Sequence, residues 1–188
     1  MLAIAEGVAE DATQRALRDS LTGIPNRDLF KDRLEQAVTL AQRNCWIIGL
    51  MFIDLDRFKT INDTHGHVMG DRVLQGVAKR LNEQVRSGDT ICRWGGDEFL
   101  YLLINPESTD NIERVARRVV DSISEILVID DLTLSIKPSI GIAVYPRDGS
   151  TGSELLAKAD AAMYQAKKDK AGCIFFDAIK DASLTGKE

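Results

Sequence analysis

The chain has 188 residues, 44% of them apolar and 28% charged, with a formal net charge of −5. That is the size of one domain plus an appendage, and the apolar share is ample for a core. The acidic balance argues against bulk nucleic-acid binding, which favours basic faces; a phosphorylated ligand would need local lysines or a metal ion beside it. Cys45, Cys92 and Cys173 lie far apart, each near an apolar run, and form no Cys-x-x-Cys pair. Buried reduced thiols in a cytoplasmic protein are therefore expected, rather than metal or redox roles. No stretch approaches the length of a membrane span, and the N-terminus lacks the basic-then-apolar order of a signal peptide.

From about Leu2 to Arg18, Ala5, Val8, Ala9, Ala12 and Ala16 recur at spacings of three and four. This predicts a helix with one weakly apolar face, suited to connecting or dimer-forming work in a longer parent protein. A turn-rich junction follows at residues 19–26. The next helix is expected over Arg27–Arg43, with Leu29, Phe30, Leu34, Ala37, Val38 and Ala41 inward. Ile47–Ile53 is apolar at nearly every position, the mark of a strand buried on both faces. Residues 57–67 are polar, but longer and more mixed in charge than a connector requires. A helix is expected over Val68–Val85. Two strand-like runs, Thr90–Trp94 and Phe99–Ile104, flank Gly95-Gly96-Asp97-Glu98 and predict a hairpin, because glycine reaches the positive φ angles of tight turns. Then come a helix over Thr109–Leu127, strands near Leu132–Lys137 and Ile140–Tyr145, a helix over Ser153–Lys168 and a last strand at Cys173–Phe176. Helices and strands mix without strict alternation, which points to an α/β or α+β sandwich with a mixed sheet.

The chemistry concentrates at two places. Gly95-Gly96-Asp97-Glu98 holds an acidic pair at a rigid tip with little bulk beside it. The Ile47–Ile53 strand runs straight into Asp54-Leu55-Asp56, and side chains alternate along a strand, so Asp54 and Asp56 share a face if the strand continues. If the hairpin pairs beside that strand, Asp54 and Asp97 converge. Two carboxylates about 4 Å apart repel by roughly 4 kcal/mol at an effective dielectric of 20. A proton or a cation must sit between them. All-oxygen ligation with open positions suits Mg2+ or Mn2+, whose usual partners are phosphates.

Four separated motifs carry a family resemblance: Asp19-x-Leu21-Thr22-Gly23-x-x-Asn26-Arg27; Phe52-x-Asp54-x-Asp56-x-Phe58-Lys59-x-x-Asn62-Asp63-x-x-Gly66-His67-x-x-Gly70-Asp71; Arg93-x-Gly95-Gly96-Asp97-Glu98-Phe99; and Ala159-Asp160-x-Ala162-Met163-Tyr164-x-Ala166-Lys167. They resemble the GGDEF family of diguanylate cyclases, bacterial enzymes that make cyclic di-GMP from two GTP. The resemblance implies a fold like the palm of nucleotidyl cyclases and polymerases, with a mixed sheet of about five strands. It divides the chain into a linker or signalling helix (residues 1–18), the cyclase domain (residues 19–178) and a tail (residues 179–188).

The resemblance also implies roles. Asp54, Asp97, Glu98 and the carbonyl of Leu55 would hold Mg2+ or Mn2+, with Asp97 or Glu98 as the base. Asn62 and Asp71 would read guanine, while Leu21 and Phe58 would touch the base. Lys59, His67, Lys167 and the backbone at Gly95 and Gly96 would lie near the substrate. Arg86-Ser87-Gly88-Asp89 resembles the family's inhibitory site for the product, with Arg118 or Arg117 as a second arginine. The expected partners are GTP, cyclic di-GMP, a second copy of the domain when active, and an upstream sensor, with no nucleic acid. The expected location is cytoplasmic, leaving open an inner-membrane anchor in an upstream part of the parent. One departure stands out: many members continue Lys167 with Gly-Arg-Asn, whereas here Ala171 stands at the Arg position, so weaker GTP binding is inferred. The alternative reading is a catalytically weak GTP-binding or cyclic di-GMP-sensing regulatory module.

Overall fold

The computed structural model describes residues 16–177 and 179. The expected Leu2–Arg18 helix lies for its larger part outside the described residues, as does most of the expected 179–188 tail. Helix α1 spans Arg27–Asn44. Asn26 caps it, its Oδ1 accepting the Leu29 N–H at 3.1 Å, which satisfies one of the donors a helix start leaves free. Phe30, Leu34, Ala37 and Ala41 bury one face of α1, with Leu29 and Val38 half-buried. Cys45 ends it in the left-handed conformation (φ 54) and is exposed, contrary to the expectation of three buried thiols.

Strand β1, Ile48–Leu55, is buried at every position. It runs two residues further than expected and so carries Asp54 into the sheet. Strands β2 (Thr90–Gly95) and β3 (Glu98–Ile104) form the predicted hairpin. With β6 (Pro138–Tyr145) and β7 (Cys173–Phe175) they build a five-stranded sheet, order β2-β3-β1-β6-β7. β1 pairs antiparallel with both β3 and β6, and β7 runs parallel to β6, so the sheet is mixed as expected.

The polar stretch after β1 is itself a helix, α2 (Phe58–His65), and Gly66 (φ 84) separates it from α3 (His67–Gln84). Only one apolar anchor, Phe58, is buried on α2, so its short period left little trace in the sequence. Helix α4 spans Thr109–Ser124, shorter than expected. Arg80 closes that end, donating to the carbonyls of Ser122 and Ile123 in the last turn and of Glu125 and Ile126 just beyond it. The chain then forms a separate two-stranded ladder, β4 (Leu127–Ile129) with β5 (Leu132–Leu134), in place of the single strand expected at Leu132–Lys137.

Helix α5, Gly152–Asp169, lies close on β6 because position 141 is glycine. A Cβ there would strike the Ala159 carbonyl and the Met163 amide nitrogen and stand 2.7 Å from the Ala162 carbonyl carbon. Two cores result. Met51, Ile53, Val73, Leu74, Val77, Ile112, Ala116 and Val119 fill the side under α3 and α4. Phe30, Leu34, Ile48, Leu50, Phe52, Leu155 and Ala159 fill the side under α1 and α5. β1 alternates its side chains between the two, as a doubly covered strand must.

Candidate active site

The site gathers where β1 ends. Asp54 pairs in register with Glu98 on β3 and with Ser139 on β6. In the hairpin Gly95 pairs with Glu98, so the two-residue turn is Gly96-Asp97 rather than Gly95-Gly96, and only Gly96 (φ 52) needs positive φ. A Cβ on either glycine would meet no atom within 4 Å, so the tip stands open. Arg93 braces it: Nε donates to the Gly96 carbonyl at 3.0 Å and Nη1 reaches the Asp19 carboxylate at 3.3 Å. Asp19 in turn accepts from the Thr22 N–H (2.9 Å) and hydroxyl (2.6 Å). Burial opposes the charge on Asp19, yet these Thr22 bonds and Arg93 hold its carboxyl below the usual range. Sequence reasoning did not foresee this brace; its trace is that Asp19 and Arg93 each belong to a motif without an assigned role.

Asp54, Asp97, Glu98 and Lys167 are brought together. Lys167, from the last turn of α5, places Nζ 2.6 Å from Asp54 Oδ1. Burial and then the Asp54 charge push the Asp97 carboxyl above the usual range. Glu98 is raised likewise, by burial first and then by Asp54, Asp97 and Asp160. Burial works against the Lys167 ammonium, but the Asp54 hydrogen bond and charge win and its pKa is raised. Asp56, one residue past the end of β1, accepts from the Ser139 hydroxyl at 2.8 Å. Ser139 pairs directly with Asp54, and the Asp56 charge also acts on Lys167, so Asp54 and Asp56 lie on one side as expected.

The donor set fits a hard divalent cation: carboxylates with elevated pKa around a cationic head group, next to the Leu55 carbonyl, with no sulfur or imidazole among them. As the side chains stand, no three carboxylate, histidine or cysteine groups among the described residues are close enough to hold an ion. The Lys167 ammonium is the counter-charge to Asp54.

A second cluster lies on α2 and α3. Phe58 is buried and the Leu21 side chain packs on the same core, while the Leu21 carbonyl accepts from Gln75. Asn62 Oδ1 is the one buried side-chain oxygen or nitrogen among the described residues without a hydrogen-bond partner. Such an atom is costly to leave unmet; here it is packed against Gly70 of α3. Asp71 is exposed one residue beyond Gly70, while Lys59 and His67 are exposed outside the carboxylate group.

At the far end of the hairpin is a cavity of about 320 Å³ lined by Gln84, Arg86, Asp89, Tyr101, Arg114 and Arg118. The Asp89 side chain is only 2% exposed. It accepts from Arg86 Nε (3.1 Å) and the Ile104 N–H (3.0 Å), so it also fastens β2 to β3. Burial raises its pKa despite these bonds. Of the two candidate second arginines, Arg118 faces the cavity; Arg117 is bound to Glu113 on its own helix. Arg114, one turn before Arg118, also lines the cavity, and the i, i+4 spacing of the two was the signal available in the sequence.

The family model described as diguanylate cyclase, GGDEF domain, matches residues 16–173. The chain belongs to that family. It is 46% identical over 171 residues to the bifunctional diguanylate cyclase/cyclic di-GMP phosphodiesterase MucR of Pseudomonas aeruginosa, covering 90% of this chain and 25% of MucR. Among solved structures, the GGDEF domain of TpbB (YfiN) from Pseudomonas aeruginosa matches with a TM-score of 0.84 and 39% identity, covering 89% of this chain and 99% of that one. The coiled coil and GGDEF domain of DgcB from Caulobacter crescentus, in complex with c-di-GMP, matches with a TM-score of 0.86 and 26% identity over 93% of each chain. The fold is thus the palm-like cyclase fold that the sequence implied. The chain spans a quarter of MucR and 40% of the diguanylate cyclase TpbB. Among the described residues no helix is long and apolar enough to cross a membrane.

Proposed function

We propose that this domain is a diguanylate cyclase, condensing two GTP into cyclic di-GMP with release of two pyrophosphates. The observation that carries the reading is the 2.6 Å Asp54–Lys167 pair, with Asp97 and Glu98 near enough to feel both charges, beside an open hairpin tip. Asp54, Asp97, Glu98 and the Leu55 carbonyl would hold Mg2+ or Mn2+, which when bound supplies charge neutralisation at the phosphates. Asn62 would turn its carboxamide oxygen, and Asp71 would offer a carboxylate, to the N1–H and N2 amino donors of guanine, a donor pattern adenine lacks. Leu21 and Phe58 support the base, and Lys59, His67 and Lys167 lie toward the phosphates.

In each half-reaction a 3′-hydroxyl oxygen attacks the α-phosphorus of the other GTP. The new O–P bond forms as the bond to pyrophosphate breaks, and the hydroxyl proton passes to a carboxylate. Asp97 and Glu98, at the open hairpin tip, both suit that role. One guanine-reading pair per domain holds one GTP, so two loaded domains must face each other across a two-fold axis. Product binding by Arg86, Asp89 and Arg118 in the second cavity would inhibit, and an upstream sensor in the parent protein would bring domains together.

The alternative, a weak GTP-binding or cyclic di-GMP-sensing module, draws on one observation. α5 ends at Asp169 and Lys170 turns left-handed (φ 54), so Lys170 does not continue the Lys167 face to replace the Arg absent at Ala171. Incubation with GTP and magnesium, followed by mass spectrometry, decides between them. Cyclic di-GMP that forms at a rate per domain rising with protein concentration is expected; tight binding of GTP or cyclic di-GMP without product would establish the alternative.

A further inference from the structure

We infer that Gly70 is a positioning residue for guanine recognition: its missing Cβ provides the seat in which the Asn62 carboxamide rests. This rests on the GTP reading above. Phe58 and Asn62 are one turn apart on α2, so they share a face. Gly70 lies on α3 against that face and is buried. A Cβ built on Gly70 would fall on Asn62 Oδ1, 2.9 Å from Asn62 Cγ and 3.1 Å from Phe58 Cζ.

The backbone does not ask for glycine here. Gly70 is inside a helix and is not among the residues with positive φ. Glycine in that position weakens a helix relative to alanine. The reason for it is therefore the space above its Cα, and Asn62 occupies that space. The same contact covers Oδ1, so the carboxamide must turn to present that oxygen to guanine. Phe58 Cζ also stands close, but its ring is fixed in the core, whereas the Asn62 carboxamide is a terminal group free to rotate. An added methyl would displace Asn62 first. Gly70 thus acts through Asn62 rather than on the nucleotide.

The test is a double-mutant cycle on the full chain, with Gly70→Ala, Asn62→Ala and the pair. Binding of α,β-methylene GTP, which cannot release pyrophosphate, and of its adenine counterpart is measured by calorimetry with magnesium present. Gly70→Ala should lose about tenfold in affinity for the guanine nucleotide, the scale of a lost buried hydrogen bond. Its weaker affinity for the adenine nucleotide should not change. The double variant should bind no more weakly than Asn62→Ala alone, because both changes remove one interaction. Melting supplies a second readout: Gly70→Ala should lower the melting temperature more in the wild-type background than in the Asn62→Ala background, where only the Phe58 contact remains. Equal guanine-nucleotide affinity in wild type and Gly70→Ala, or additive losses in the pair, would overturn the inference alone. Equal binding of the two nucleotides by the wild-type chain would instead overturn the GTP reading.

Discussion

Lys167→Met should destabilise the metal-free protein and leave its intrinsic affinity for a divalent cation intact or improved. The lysine stands 2.6 Å from Asp54, with 45% of its side chain exposed against 12% for Asp54. Exposed pairs contribute about 0–1 kcal/mol and breaking a buried pair costs about 3–5; this half-open pair, discounted for solvent screening, should be worth about 1–2 kcal/mol. For a domain of this size that is a fall of about 2–8 °C in melting temperature. Methionine keeps the apolar stem, so the loss reports the charge. The raised lysine pKa means this stability is fully present below the ordinary lysine range and is lost only as pH rises through the raised value. At neutral pH the whole effect is available. Scanning calorimetry with a chelator should show the fall, and saturating magnesium should narrow it as the ion takes over Asp54. An unchanged melting temperature in chelator would refute the reasoning, since Asp54 would then have needed no counter-charge.

Other consequences are as direct. Asp97→Asn should abolish cyclic di-GMP formation while leaving the metal-free fold equally or more stable at neutral pH; its carboxyl is held above the usual range, so ionising it costs stability as pH rises through that window. A large drop in its melting temperature, or normal turnover, would contradict the placement of Asp97. Arg86→Ala should weaken cyclic di-GMP binding and relieve product inhibition with initial rates nearly intact, because Asp89 keeps its Ile104 bond and β2 stays fastened to β3; calorimetric titration of the product checks it. Tyr101, pushed up to about 12 by burial and then by Asp89, should ionise as a separate late step in an ultraviolet titration, absent in Tyr101→Phe. Its contribution to stability is present below the ordinary tyrosine range and lost as pH rises through about 12.

The sheet and the large helices were legible because their signals are long and periodic. β1 read as a doubly buried strand from its unbroken apolar run, and α1, α3 and α5 followed from apolar residues three and four apart. The carboxylate site was legible for a related reason: charges ending an apolar strand and a glycine turn are both out of place unless something uses them. What escaped had no local signature. α2 has one buried side chain. The β4–β5 ladder depends on Arg80, more than forty residues away, closing the end of α4. The Arg93–Asp19 brace and the seat at Gly70 are contacts between segments, and a sequence pattern carries no distances. The expected Val68–Val85 helix contains Gly70, but only the position of Asn62 gives that glycine a purpose.

The local charge balance ties metal and nucleotide together. The chain is acidic overall, and the site adds three carboxylates to a ligand that is itself a polyanion. Of the lysines implied at the phosphates, Lys167 is engaged by Asp54, so in the proposed enzyme nucleotide arriving alone would meet a site with its best-placed positive charge already committed. If Asp54 were to hold a divalent ion, Lys167 would be freed toward the phosphates, and the ion would supply positive charge of its own. In the proposed enzyme, each ligand should therefore raise the affinity for the other by the same factor, as linkage requires. Lys167→Met removes the shared element, leaving only the direct attraction between ion and phosphate, and the mutual enhancement should shrink accordingly.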